Sequence, residues 1–179
     1  MENYQKHPIK LLIQDIFRAK QTENKYVYKL FDLSFKNVMI HGVVTSVYNT
    51  TTFTTNLELS DPTGCVQIYY DTRKRNGNIS QDVMKDLIRS FGNFSRSGND
   101  KAPFLASLLN YIEKKHKNPI DFKEGSYVNV IGDIFIDNFQ NTRMVSAFQI
   151  KCTSVESDII WLEEVRYLYN KYYLCEKEK

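Results

Sequence analysis

The sequence predicts a mainly β domain: a five-stranded barrel with a helical insertion between strands three and four, closed by a C-terminal helix. Three observations predict it. Five stretches rich in β-branched and aromatic residues alternate with turn signals. Two of them carry a glycine in mid-strand, and the apolar period lengthens to a helical one in the middle of the set and again at its end. At 179 residues, with 42% hydrophobic and 25% charged side chains, the chain suits a single domain over 1–179 with a core at about 37–151.

Lys10-Leu11-Leu12-Ile13 opens a strand before a short helix over Asp15 to Lys20, although Ile9, Leu12, Ile13 and Ile16 suit one continuous helix equally well. Val27 to Phe35 is apolar without a clear period. Val38 to Tyr48 is the first long strand, and Gly42 within it marks a bulge or sharp coil. After a turn at Asn49 to Thr52, Phe53, Thr55, Leu57 and Leu59 alternate with polar residues, which reads Phe53 as core. Asp61-Pro62-Thr63-Gly64 is a tight turn, since Pro presets φ and Gly tolerates positive φ. Val66, Ile68 and Tyr70 then share one face of a third strand.

Between Asp71 and Gly125 the pattern turns helical. Val83, Leu87, Ile88 and Phe91 follow a Ser80 cap, and Phe104, Leu105, Leu108, Leu109 and Ile112 form a second stripe. Strand four runs from Tyr127 to Ile136 around Gly132, and strand five from Arg143 to Lys151. Asp158 caps a last helix, about 157–175, with Trp161, Val165, Leu168 and Tyr172 on one stripe and Leu162, Tyr169 and Tyr173 widening it. Three strands, a helical insertion, two strands and a helix is the order of the OB-fold.

Chemistry is thin along this chain. There is no P-loop or dinucleotide glycine signature. His7, His41 and His116 are scattered, and Cys65, Cys152 and Cys175 have no zinc-finger spacing. No catalytic residue, metal site or cofactor is expected, so the chain reads as a binding protein rather than an enzyme. The odd, widely separated cysteines read as reduced thiols of an intracellular protein. The first residues hold no signal-peptide-like run and nothing approaches the roughly 18 apolar residues of a membrane span, so no membrane partner is expected. A net charge of +3 is too small to hold duplex DNA by charge alone, but allows a local basic groove.

Val38-Met39-Ile40-His41-Gly42-Val43-Val44, then Leu57-Glu58-Leu59-Ser60-Asp61-Pro62-Thr63-Gly64, then Tyr127 to Gly132, Phe139-Gln140-Asn141 and Ala147-Phe148-Gln149-Ile150 follow one another in the order of a known family. The chain resembles the middle OB-fold subunit of replication protein A and its relative, the Stn subunit of the CST telomere-capping complex. His7-Pro8-Ile9-Lys10 so near the start leans toward the Stn-like branch. The resemblance implies a nuclear protein of the chromosome's telomeric region that helps cap chromosome ends. Its implied partners are a small, Ten-like OB-fold subunit bound through the C-terminal helix, a larger single-stranded-DNA-binding subunit, and single-stranded telomeric DNA held within that complex. The alternatives are a general replication subunit, or an assembly scaffold that does not touch DNA.

OB-folds bind single strands with aromatic platforms and cations along one barrel face. The candidates are Tyr48, Tyr70, Arg73, Lys74, Arg75, Phe135, Phe139 and Arg143. The family's tryptophan near the end of strand three falls on Asp71, whose carboxylate repels a phosphate. The last helix has more apolar width than one barrel needs, which marks Trp161, Leu162, Val165, Leu168, Tyr169 and Tyr172 as partner-binding.

Overall fold

Five long strands pair in a ring in the computed structural model, which describes residues 5, 7–51, 53–74, 86–87, 89–90, 104–105, 107–110, 122–137 and 141–174. In chain order the elements are β1 (Ile9–Lys10), α1 (Ile13–Arg18), β2 (Lys20–Gln21), β3 (Tyr28–Leu30), β4 (Leu33–Phe35), β5 (Asn37–Tyr48), β6 (Thr54–Asp61), β7 (Gly64–Asp71), β8 (Tyr127–Asp137), β9 (Thr142–Thr153) and α2 (Glu156–Leu168). A π-helical turn, Tyr169–Tyr173, continues α2.

The ring runs β5–β6–β7–β9–β8 and returns to β5, with β7 and β9 parallel and the other neighbours antiparallel. The helical insertion therefore lies between the third and fourth barrel strands, as expected. Ile40, Val44, Leu57, Leu59, Val66, Ile68, Val128, Val130, Ile134 and Val145 fill the interior. The period-two alternation of β6, β7 and β8 puts these side chains there by parity.

Both mid-strand glycines permit close strand packing. A Cβ on Gly42 would sit 2.3 Å from the Ser60 carbonyl oxygen, and one on Gly132 would sit 2.4 Å from that of Ser146. The register slips between Ile131 and Gly132, where β9 carries the extra residue Phe148, and in β5 between Val44 and Ser46. Gly42 is thus a site of close approach beside the irregularity rather than the bulge itself.

The N-terminal segment resolves into more structure than its sequence suggested. The helix that Ile9 to Ile16 could have formed is broken at Leu11 and Leu12, because Ile9 and Lys10 pair in parallel with Val38 and Met39 of β5. Val27 to Phe35, which showed no period, holds β3 and β4 of a small antiparallel sheet in the order β2–β3–β4. Helix α1 buries Ile13 and Ile16 fully against the barrel core. Its N-terminus is capped from afar: an Asp61 Oδ2 accepts the Ile13 N–H at 2.8 Å and Thr63 Oγ1 accepts that of Gln14. Asp61, which reads locally as a solvated turn residue, is a tertiary cap.

Helix α2 lies on the outer face of β5. Trp161 and Val165 are buried there, Trp161 against the His41 ring at 5.6 Å between centroids. Asp158 lies inside the first turn rather than at the cap, and its carboxylate approaches His41 Nε2 at 3.4 Å. His41 itself is 2% exposed, with Nδ1 2.8 Å from Asn129 Oδ1. This covering explains why β5 is buried on both faces at His41 and Gly42.

Candidate nucleic-acid and partner surfaces

One end of the barrel gathers aromatic side chains around a fixed guanidinium. Across the outer face, Tyr48 of β5 pairs with Asn56 of β6, which pairs with Tyr69 of β7. All three are half-buried. Their neighbours Val47, Thr55, Leu57, Ile68 and Tyr70 point inward, so strand parity sends these three outward. Tyr70, the sequence candidate, is 4% exposed and belongs to the core. Tyr69 takes its place on the surface, and the alternation of Val66, Ile68 and Tyr70 already carried that signal. Burial, followed by the Glu58 charge, raises the Tyr48 hydroxyl above its ordinary value.

Beyond β7 a short 3₁₀ turn, Thr72–Lys74, carries Arg73. Asp71, 4% exposed, holds that guanidinium by a two-point contact: Arg73 Nε donates to Oδ1 at 3.0 Å and Nη2 to Oδ2 at 2.9 Å. The Arg73 backbone N–H also donates to Oδ1. The hydrogen bonds it donates to Asp71, and then the Asp71 charge, push the guanidinium further above its ordinary value. Asp71 is therefore a positioning group for Arg73 rather than a bare repulsive charge. The planar cation lies 5.6 Å from the Phe53 ring centroid. Phe53 is half-buried in the turn before β6, outside the core its parity suggested, because Thr72 donates from both N and Oγ1 to the Phe53 carbonyl and pins that turn to β7.

The remaining candidates separate. Arg143 Nη1 donates to the carbonyls of Ile16 and Phe17 at 2.8 and 2.7 Å, closing the last turn of α1 as a cation at a helix C-terminus does. Its guanidinium lies 5.7 Å from the Tyr28 ring. Phe135 is half-buried on β8, opposite Met144 of β9. Phe139, Arg75 and the Lys74 side chain lie outside the described residues.

Helix α2 has two apolar sides. Trp161 and Val165 are committed to the chain's own barrel. Leu168 and Tyr169 pack partly on that core, and Tyr169 donates its hydroxyl to the fully buried Asp15 of α1. The outward side instead carries Val155, Ile159 and Leu162, 55%, 68% and 38% exposed, at i, i+4 and i+7 spacing. Ile160, Tyr167 and Tyr172 are exposed as well. Of the six sequence candidates for partner binding, only Leu162 and Tyr172 are exposed. The stripe containing Ile159 was missed because the buried stripe has the stronger helical period.

Among the described residues no cluster of His, Cys, Asp or Glu is arranged to hold a metal. No helix among them is long and apolar enough to cross a membrane.

No family model and no curated protein matches the sequence. Solved structures do match. A chain of a replication protein A heterotrimer bound to single-stranded DNA is 12% identical, with a TM-score of 0.55 over 90% of this chain and 97% of that one. A chain of the S. pombe Stn1–Ten1 complex is 14% identical, with a TM-score of 0.56 and 93% of each chain covered. A chain from the structure of yeast Stn1 and Ten1 is 10% identical, with a TM-score of 0.54 over 94% of this chain and 75% of that one. Together with the ring of strand pairings and the helix laid on it, these likenesses establish that the chain is an OB-fold barrel with a C-terminal helix.

Proposed function

We propose that this chain is a non-catalytic subunit of a single-stranded-DNA-binding complex, which holds DNA on its barrel and a second subunit on its C-terminal helix. The observation that carries the reading is the row Tyr48, Asn56 and Tyr69, ending beside Phe53 and the fixed Arg73 guanidinium. Partly exposed rings on two strands either side of β6 offer faces on which unpaired bases stack, and each such contact is worth about 1–3 kcal/mol. Asp71 cancels the formal charge of Arg73, so this surface binds through stacking more than through charge.

The exposed side of α2 supports the second half of the reading. Val155, Ile159 and Leu162 form an i, i+4, i+7 row of the kind that docks a partner helix or groove. The structural neighbours come from a replication protein A heterotrimer and from Stn1–Ten1 complexes, which are multi-subunit assemblies. Within this proposal we favour the telomere-capping branch, in the nucleus at chromosome ends, with a small Ten-like OB-fold subunit on α2 and a larger single-stranded-DNA-binding subunit beside it. His7-Pro8-Ile9-Lys10 favours this branch over a general replication role. β1 forms directly from this motif.

Fluorescence anisotropy with a labelled oligothymidine of about six nucleotides tests the barrel surface. Tyr48→Ala combined with Tyr69→Ala should weaken binding by about tenfold or more, as the loss of two stacking platforms requires. Unchanged affinity would leave the scaffold alternative standing.

A further inference from the structure

A second basic segment lies away from the barrel surface just described. Residues 7–36 hold six Lys or Arg side chains (Lys10, Arg18, Lys20, Lys25, Lys29 and Lys36) against Asp15, Glu23 and Asp32. That is a net +3 over residues 7–36; residues 72–126, with eleven Lys or Arg against six Asp or Glu, carry more. Several of these cations are already occupied: Lys10 with Glu164, Arg18 with Asp15, and Lys29 with Asp32. Among the described residues no carboxylate lies within ion-pair distance of Lys20, Lys25 or Lys36, although the charge of Lys36 is felt by the half-buried Asp133.

The β2–β3 hairpin displays Lys20 and Lys25, and exposed rings stand beside them. Tyr26, 55% exposed, lies at its turn with the Lys25 and Lys36 ammonium groups 4.9 and 6.0 Å from its ring centroid. Phe17, 47% exposed, stands just before β2. The turn is held rigidly. Thr22 N–H donates to the Val27 carbonyl, Val27 N–H to that of Asn24, Tyr26 N–H to Asn24 Oδ1, and Gln21 Nε2 to the Lys25 carbonyl. Lys20 also faces Lys29 directly across the two strands. Like charges placed so are destabilising; the Lys29 pair with Asp32 relieves part of this, and an anion at Lys20 would relieve more. A lysine on an edge strand deters unwanted sheet pairing, which accounts for Lys20 alone. It does not account for the exposed Tyr26 ring on a turn held by its own hydrogen bonds.

We propose that this hairpin is a second contact site for the single-stranded nucleic acid, with Lys20 and Lys25 gripping phosphates and Tyr26 carrying a base. The assignment rests on the barrel reading above, since the strand must pass between the two sites. Lys36 immediately precedes β5 and Tyr48 ends it, so roughly 35 Å of strand, shortened by coiling, separates them. The hairpin adds charge to that of the described barrel surface, where Asp71 offsets Arg73. A strand of about six nucleotides engages the barrel alone, and one of about sixteen reaches both.

The test is anisotropy on the full chain with oligothymidines of about six and about sixteen nucleotides, over a range of salt. Lys20→Ala combined with Lys25→Ala removes two exposed, unpaired charges and one repulsive pair, so folding is preserved. It should weaken the longer strand by about tenfold and lower its salt slope by about 1.4, with the shorter strand unaffected. Tyr26→Ala should weaken the longer strand by about fivefold or more at an unchanged salt slope. Equal loss on both lengths, no loss on the longer, or a lysine effect without a tyrosine effect would overturn the assignment. The last result would describe a charge site indifferent to the polyanion, acidic polypeptide included. Failure of the barrel reading shows separately, as binding that Tyr48→Ala with Tyr69→Ala leaves untouched; no binding of either length overturns both.

Discussion

Asp71 stands where a carboxylate looks least welcome, yet at the scale of single residues it organises the site. Nearly buried, it fixes a guanidinium whose own side chain is 62% exposed. Two outcomes follow for Asp71→Asn. Stability should fall by about 1 kcal/mol, because the pair is largely solvent-screened on the arginine side. Binding of a short oligonucleotide should tighten, and its salt slope should steepen by about 0.7, because Arg73 is freed to meet a phosphate. Urea unfolding and anisotropy against salt measure the two separately. Weaker binding would mean that orientation of the guanidinium outweighs its charge. The exchange of Tyr70 for Tyr69 rests on parity alone: a one-residue step along β7 moves a ring from core to surface.

Among the elements, α2 shows how one amphipathic helix serves two surfaces. Its barrel side is defined by Trp161 and Val165 and its outward side by Ile159 and Leu162. Substitutions on the two sides should therefore separate cleanly. Trp161→Ala empties a packed site and should cost about 3–5 kcal/mol in chemical denaturation. Ile159→Asp with Leu162→Asp changes exposed positions and should leave stability within about 0.5 kcal/mol per residue, while abolishing co-purification with the partner subunit. Partner retention at native strength would place the docking surface elsewhere. The buried side is anchored through β5 and β8 as well, since Asp158 approaches His41 and His41 meets Asn129. Of the expected stripe Phe104, Leu105, Leu108, Leu109 and Ile112, the first three are exposed and Leu109 is half-buried, and Ile112 lies outside the described residues.

For the whole molecule, contacts between the N-terminal segment and the end of α2 join the outer layer laid on the barrel. Asp15 of α1 is fully buried and accepts the Tyr169 hydroxyl, while Phe31 packs its ring against Tyr169 and Tyr173 at 5.5 and 6.4 Å. Tyr169→Phe leaves that carboxylate with Arg18 at 3.6 Å and should cost about 2 kcal/mol. Its effect on alkaline stability has a definite sign. Burial first, then the hydrogen bond to Asp15, raises the Tyr169 hydroxyl far above the ordinary value of 10.0. Unfolded tyrosines ionise near that value and the folded one does not, so stability is undiminished below about pH 10 and falls as pH rises beyond it. Tyr28, Tyr48 and Tyr173 are raised mainly by burial too and share this alkaline decline. Removing the Tyr169 hydroxyl should make the decline shallower, as urea midpoints followed from pH 8 to 11 would show.

The barrel was legible in the sequence because strand periodicity is local: Leu57 and Leu59, Val66 and Ile68, Val128 and Val130 declare their buried face within a few residues. The same is true of the tight turn at Asp61 to Gly64 and of the stripe through Trp161 and Val165. What only the tertiary structure decided are pairings between residues far apart in the chain. Asp61 became the cap of α1, Arg143 its C-terminal clamp, Tyr169 the partner of Asp15, and the outer face of β5 the bed of α2. No periodicity announces these contacts, because each exists only after the ring has closed and brought two surfaces together. The short strands between Lys20 and Phe35 escaped notice for a related reason: two or three residues are too few to show a period, and it is their pairing that makes them strands.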